Sequence, residues 1–328
     1  MISIAMATYN GARFLCKQLA SIAAQSALPA ELVACDDGST DGTLDVVRDF
    51  ARSAPFEVRI EQNEQRLGVS ENFLKAASLC RHEWIAFCDQ DDVWLPGKLE
   101  AVQGLAERRP GLMLIAHRAA IADEELRPTG ELLHVPAVRR LAIVPRLARG
   151  FWGYPYGFCM IFRSHLLRAA AAEGRPIESH DRWIAVMAGV LGETAYLPQP
   201  LALYRRHGEN YSQLHPPHGP AYDLRRAAEH GEFDHAARLV DRLWRYLEES
   251  AQCSQEGEAD LLREASQVYR RMAGALALRA DLCRRGESML HRARKFAELL
   301  AHGGYARHRS GGLGWRAALK DAVRVVAL

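Results

Sequence analysis

A mostly parallel α/β sheet with helices on both faces, followed by a helical C-terminal region, is the architecture the sequence predicts. Three observations predict it. Short apolar strand candidates alternate with amphipathic helix candidates from Ile2 to about His117, joined by short links as in βαβ units. Polar clusters fall at the carboxyl ends of those strands, where open α/β sheets bind ligands. From about Pro216 the chain becomes rich in Ala, Leu, Arg and Glu with few Gly or Pro breaks, as packed helices require.

In chain order, the first strand is Ile2 to Thr8, and Tyr9-Asn10-Gly11 turns into a helix carrying Leu15, Leu19 and Ile22 at helical spacing. Glu31 to Cys35 is the second strand, closed by Asp36-Asp37-Gly38-Ser39-Thr40-Asp41-Gly42. Ser39, Thr40 or Asp41 is expected to cap a helix over 43–52. A third strand spans 56–61, a loop 63–68, and a helix 70–80 with Ser70 as its cap. Trp84 to Cys88 has the length and the aromatic and branched content of a buried strand, and it ends abruptly in Asp89-Gln90-Asp91-Asp92. A helix over 96–108 and a strand over 112–117 follow.

Residues 118–150, with repeated Arg and Pro, read as an irregular excursion. Gly150 to Phe162, GFWGYPYGFCMIF, is either a core hairpin or a loop and strand lining a pocket. A short helix spans 164–173, His180-Asp181-Arg182-Trp183 opens another that runs to Val190, and 195–204 is extended. Two units are expected, 1–215 and 216–328. The second holds a small bundle over 221–300, a Gly-rich basic stretch, and a last helix over 315–328 with Trp315, Leu319, Val323 and Val326 on one side. That stripe suits a membrane surface or the bundle, and the bundle is its expected partner.

The bulk composition, 48% hydrophobic and 25% charged over 328 residues, is that of an ordinary soluble globular chain. Seven scattered cysteines without a CxxC pair read as reduced core residues of a cytosolic protein. The opening MISIAMATYN reads as a strand and not as a secretory leader, and no uncharged run approaches the roughly 18 residues that span a bilayer. The net charge of +2 hides an asymmetry: residues 271–328 carry 12 Lys+Arg against 4 Asp+Glu. A basic tail on an acidic body suits an anionic surface; charge alone leaves lipid and nucleic acid both open, and membrane lipid, not nucleic acid, is the expected partner.

Three carboxylates meeting at one strand end repel one another unless a cation neutralises them, and a hard divalent ion with oxygen ligands is the fitting neutraliser. The P-loop, GxGxxG, HExxH and GxSxG patterns are absent. That weakens readings as a P-loop nucleotidase, a dinucleotide dehydrogenase, a zinc protease or a lipase-type hydrolase.

Taken together, the Thr8-Tyr9-Asn10 turn, DDGSTD at 36–41, Gly68 to Asn72, DQDD at 89–92, Asp181 ahead of a helix and YRRHG at 204–208 resemble the family 2 glycosyltransferases of the GT-A fold. The CDQDDVW wording further resembles the bacterial rhamnosyltransferase branch. The resemblance implies a Rossmann-like sheet and a nucleotide-sugar site built from Thr8, Tyr9, Asn10, Asp37, Arg66, Asn72, Asp89 and Gln90. In it Asp37 accepts the pyrimidine imide N–H, and Asp91, Asp89 and His207 hold Mg²⁺ or Mn²⁺. Asp181 is the implied catalytic base, which an inverting transfer needs on the acceptor side. Trp152, Tyr156, Gly157, His180 and Trp183 are the expected acceptor surface.

The expected function is an inverting, metal-dependent transfer from a dTDP- or UDP-sugar, with dTDP-L-rhamnose the first donor implied. The acceptor is a glycan or lipid-linked glycan of cell-surface polysaccharide synthesis, met by a cytoplasmic enzyme with peripheral contact to the inner membrane face. A nucleotidyltransferase would need a glycine-rich basic triphosphate loop after the first strand, where TYNGARF offers only Gly11 and Arg13. A non-catalytic nucleotide-sugar or glycan binder would keep donor binding and show unchanged behaviour on loss of Asp181.

Overall fold

The computed structural model describes residues 1–133, 140–147, 155–170, 179–208, 210, 232–284, 286–307 and 310–327. The predicted alternation is present: β1 (Ile2–Thr8), α1 (Ala12–Ala23), β2 (Glu31–Asp36), α2 (Thr43–Ala51), β3 (Glu57–Gln62), α3 (Val69–Ser78), β4 (Trp84–Cys88), β5 (Val93–Trp94) and α4 (Lys98–Arg108). Then come β6 (Leu112–Ala122), β7 (Pro128–Leu132), β8 (Ala142–Val144), β9 (Met160–Arg163), α5 (Leu166–Ala170), α6 (His180–Leu191) and β10 (Glu193–Arg205). Helices α7 (Glu232–Cys253), α8 (Glu256–Leu282), α9 (Met289–Ala301) and α10 (Trp315–Ala327) complete the chain.

The sheet runs β3-β2-β1-β4-β9-β6-β10-β5, with β7 on β6 and β8 on β10. Strands β3, β2, β1 and β4 pair in parallel, and β9 runs antiparallel between β4 and β6, so the sheet is mixed but mostly of one direction. The period-2 alternation of β1 divides the core. Ile2, Ile4 and Met6 pack with Leu15, Leu19 and Ile22 of α1 and Leu99 and Val102 of α4 on one face. Ala5 packs on the other face with Phe73 of α3, Trp183 and Ile184 of α6, and Leu243 and Leu247 of α7. The C-terminal helices are thus continuous with the core of the sheet. The boundary expected at 215/216 lies outside the described residues.

Several expectations are corrected. Part of the irregular stretch after 117 is ordered strand, because β6 continues to Ala122 and turns into β7. Neither α2 nor α3 has a side-chain cap at its first position. Gly42 and Gly68 stand there, Gly68 at φ +83°, and Ser70 lies inside α3. Asp41 still serves the start of α2 from one residue earlier, accepting the Thr43 N–H at 3.0 Å.

The largest correction concerns α10. It turns Asp321 and Arg324 into the protein and leaves Trp315, Leu319 and Val323 exposed, the reverse of the expected docking.

Candidate active site

The carboxyl ends of β1, β2 and β4 gather the polar clusters at one edge of the sheet. Beyond β4, one carboxylate oxygen each of Asp89, Asp91 and Asp92 lies within 4.8 Å of the others. Burial first, and then the charges of Asp91 and Asp181, push Asp89 up to about 8. Asp92 is fully buried and driven well above the carboxylate range by the same burial and by Asp91 and Asp89. Its Oδ1 accepts the Arg205 N–H at 3.1 Å, while Oδ2 has no partner. A buried oxygen without a donor is costly unless something electropositive arrives.

His207 faces Asp91, with Nε2 and Oδ2 2.9 Å apart, and its ring packs on Phe14 at 4.3 Å. Asn210, which the sequence did not single out, ties this segment down. Its Oδ1 accepts the His207 N–H at 2.7 Å, and its Nδ2 approaches Asp91 Oδ2 at 3.4 Å.

The predicted nucleotide residues divide into two sets. Thr8 is buried and donates to Asp36 Oδ1 at 3.0 Å. Asn72 is buried and donates to the Cys35 carbonyl at 2.9 Å. Gln90 clamps the turn after β1, accepting the Tyr9 N–H and donating to the Tyr9 carbonyl, both at 2.9 Å. These three carboxamide and hydroxyl groups are frame, not free surface. A Cβ on Gly11 would lie 2.2 Å from Gln90 Oε1, so a side chain there would push the Gln90 amide off the turn.

Tyr9 is half-buried and Arg66 exposed, the guanidinium 3.9 Å above the Tyr9 ring. Asn10, at φ +46°, accepts the Thr40 N–H through Oδ1 and so joins the β1 and β2 loops. Asp37 accepts the main-chain N–H groups of Leu67 (2.7 Å) and Gly68 (2.8 Å) and the Asn63 amide (2.9 Å). Burial works to raise its pKa, but these hydrogen bonds and the Arg66 charge outweigh burial and hold it below the usual carboxylate range. Asp36 accepts from Thr8, Ser39 and Gly38, and so shapes the turn that presents Asp37.

On the other side stands the start of α6. Asp181 accepts the Arg182 N–H at 2.7 Å and the Ser179 hydroxyl, and its charge reaches Asp89. His180 stacks on Phe73 at 4.4 Å and meets Phe87 edge-on. Gly157 lies against both: a Cβ there would be 3.0 Å from His180 Nε2 and 3.5 Å from Asp181 Cβ. Tyr156 is half-buried beside Phe158. Trp183 is withdrawn from the acceptor surface, because it is fully buried and packs edge-on against Tyr246 in the core. Trp152 lies outside the described residues.

Sequence reasoning missed Lys98. It is fully buried at the start of α4, donates to the Phe158 carbonyl at 2.8 Å and lies 3.6 Å over the Trp94 ring. Burial lowers its pKa to about 8, while Asp92 and Asp89 pull the other way. The available signal was its helical spacing of four and seven from Val102 and Leu105, which puts it on the buried stripe. Arg205, within the YRRHG segment, is not open to a ligand. It is instead buried against the loop, donating from Nε to the Asp91 carbonyl at 2.7 Å.

The donor set suits a hard divalent ion: clustered carboxylate oxygens, one of them orphaned, with an imidazole beside them. Asp89, Asp91 and Asp92 would hold such an ion, and His207 would offer a nitrogen, a donor that suits Mn²⁺ better than Mg²⁺.

The model of glycosyl transferase family 2 matches residues 3–172, just over half of the chain. The chain belongs to glycosyl transferase family 2. An uncharacterized glycosyltransferase of Nostoc sp. is 30% identical over 217 residues, 64% of this chain and 66% of that protein. The dTDP-rhamnosyl transferase RfbG of Shigella flexneri is 35% identical over 99 residues, 29% of this chain and 34% of its own length. Among solved structures, Staphylococcus aureus TarS in complex with UDP-GlcNAc superposes with a TM-score of 0.55 at 18% identity, covering 93% of each chain. That likeness establishes the GT-A fold.

Proposed function

We propose that the protein is an inverting, metal-dependent glycosyltransferase that moves a sugar from a nucleoside diphosphate to a hydroxyl of a glycan or lipid-linked glycan. The observation that carries this is the acid cluster at 89–92 with Asp181 facing it from a separate element. Tyr9 and Arg66 offer a face for the base, and Asp37 Oδ2, which accepts one hydrogen bond from Gly68, keeps a lone pair for the imide N–H. When bound, the cation supplies positive charge at the departing diphosphate. Asp181 takes the proton of the acceptor hydroxyl as its oxygen bonds to the anomeric carbon and the bond to the diphosphate breaks, which inverts the centre in one displacement.

The donor we favour is dTDP-L-rhamnose, with a UDP-hexose next. RfbG is named a dTDP-rhamnosyl transferase, and an Escherichia coli relative, 32% identical over 100 residues (30% of this chain and 38% of its own length), is named for UDP-Glc and a diphosphoundecaprenol-linked acceptor. Those names favour cell-surface polysaccharide synthesis, with peripheral contact at the inner membrane face. No helix of the described residues is long and apolar enough to cross a membrane. Incubation with dTDP-L-rhamnose, UDP-glucose and UDP-GlcNAc, with and without Mn²⁺, tests the proposal. Mn²⁺-dependent nucleotide release from one donor is expected; release from none, or the same release in Asp181→Asn, contradicts it.

A further inference from the structure

Helix α10 is folded with its charges inward. Asp321 is 0% exposed and Arg324 2%, and Arg279 of α8 joins them. Arg279 Nε donates to Asp321 Oδ1 at 3.0 Å, Arg324 Nη1 donates to the same oxygen at 2.9 Å, and the Tyr305 hydroxyl donates to Oδ2 at 3.0 Å. Both guanidinium groups lie over the Phe233 ring, at 4.4 and 5.0 Å. A desolvated cluster of this kind fixes the rotation of the helix, because turning it would strand buried charge.

The rotation so fixed leaves Trp315 65%, Leu319 59% and Val323 58% exposed, at helical spacing i, i+4, i+8. Neighbouring α9 also leaves Met289, Leu290 and Leu300 exposed. The one acid of α10 is the buried Asp321, so its outward side carries only the positive charges of Arg316 and Lys320. Arg307, in the turn before it, is exposed as well. Among the described residues no carboxylate pairs with any of these three.

We propose that this outward face of α10 seats on an anionic lipid surface, with Trp315, Leu319 and Val323 entering the headgroup boundary and Arg307, Arg316 and Lys320 meeting lipid phosphates. An apolar stripe with a tryptophan, edged by cations and stripped of acids, matches the interfacial helix in both charge and shape. A second copy fits worse, because a two-fold contact through this face would bring the Arg316 and Lys320 charges of both copies together, and the one acid of α10, Asp321, is buried. The proposal deepens the peripheral-membrane part of the function above and is independent of its donor chemistry.

Flotation of the full-length protein with vesicles tests it, using pure phosphatidylcholine against phosphatidylcholine with about one third phosphatidylglycerol. Retention on the anionic vesicles alone, released by salt, is expected. The combined Trp315→Ser, Leu319→Ser, Val323→Ser variant should lower the partition about tenfold or more. Arg316→Gln and Lys320→Gln should each lower it about fivefold. Both sets change exposed residues and should keep the parent melting temperature and nucleotide release. Failure to float on anionic vesicles, equal flotation on neutral ones, or an unchanged partition in the triple variant overturns the proposal. A concentration-dependent dimer that the triple variant abolishes assigns the face to a second copy and also overturns it. Nucleotide release, measured separately, shows whether the transferase proposal fails with it.

Discussion

Two acidic clusters stand at neighbouring strand ends and behave in opposite ways. At the end of β2, Asp36 and Asp37 are well supplied with donors: main-chain N–H groups of Gly38, Ser39, Leu67 and Gly68, the Thr8 hydroxyl and the Asn63 amide. Asp37 is accordingly held below the usual range. Beyond β4, Asp89, Asp91 and Asp92 face one another with few donors, and Asp89 and Asp92 are driven upward. Hydrogen-bond supply, not the number of acids, separates a carboxylate that builds a loop from one that requires a cation.

The largest effect that sharpens this contrast is expected from Asp91→Asn. Mn²⁺-dependent nucleotide release should fall by about 10³-fold, as removal of a metal-held charge does, while thermal stability without metal should hold or rise, since a repulsion is relieved. Asp181→Asn should lower kcat by about 10²- to 10⁴-fold and leave donor binding, read by calorimetry, intact. Asp37→Asn should act in the opposite sense to Asp91→Asn on the fold. Unpairing the 67–68 loop should cost about 1–3 kcal/mol in a urea melt.

The pH dependence separates the clusters further. Asp37 is held below the ordinary carboxylate value of 3.8 in the folded chain, so its contribution is present above that value and is lost as pH falls through the folded pKa. Asp89 is pushed up to about 8 in the folded chain from an ordinary value of 3.8, so metal-free stability should decline as pH rises between the two, and Mn²⁺ should flatten that decline. Thermal melts across this window, with and without Mn²⁺, check both signs. The smallest effect is expected at Gly157→Ala, whose added methyl would press on His180 Nε2 at 3.0 Å and shift the first turn of α6. Turnover should fall by roughly tenfold, as a small misplacement of a catalytic group allows, with melting unchanged.

Much of this was legible in the chain. The β1 to α4 alternation could be read because each strand is a short apolar run ended by polar residues, and each helix carries one apolar stripe. The acids at 89–92 were legible as carboxylates crowded at one strand end, whereas Asp181 and His207 were expected only through the resemblance to the family. Periodicity does not reveal which partner a stripe meets. Trp183 therefore looked available although α7 covers it, and the α10 stripe looked buried although an ion cluster turns it outward. Nor does it separate side chains that touch ligand from those that hold the loops. Gln90 and Asn72 spend their amides on backbone, a commitment that only the packed strand ends reveal.

The most direct measurement is the number of protons released when Mn²⁺ is titrated into metal-free protein near neutral pH, taken by calorimetry in two buffers of different ionisation enthalpy. A carboxylate cluster kept partly protonated by burial must give up about one proton to the ion, and Asp91→Asn should abolish the binding. Binding without proton release, or binding that survives Asp91→Asn undiminished, would contradict the assignment of these acids as the cation's seat.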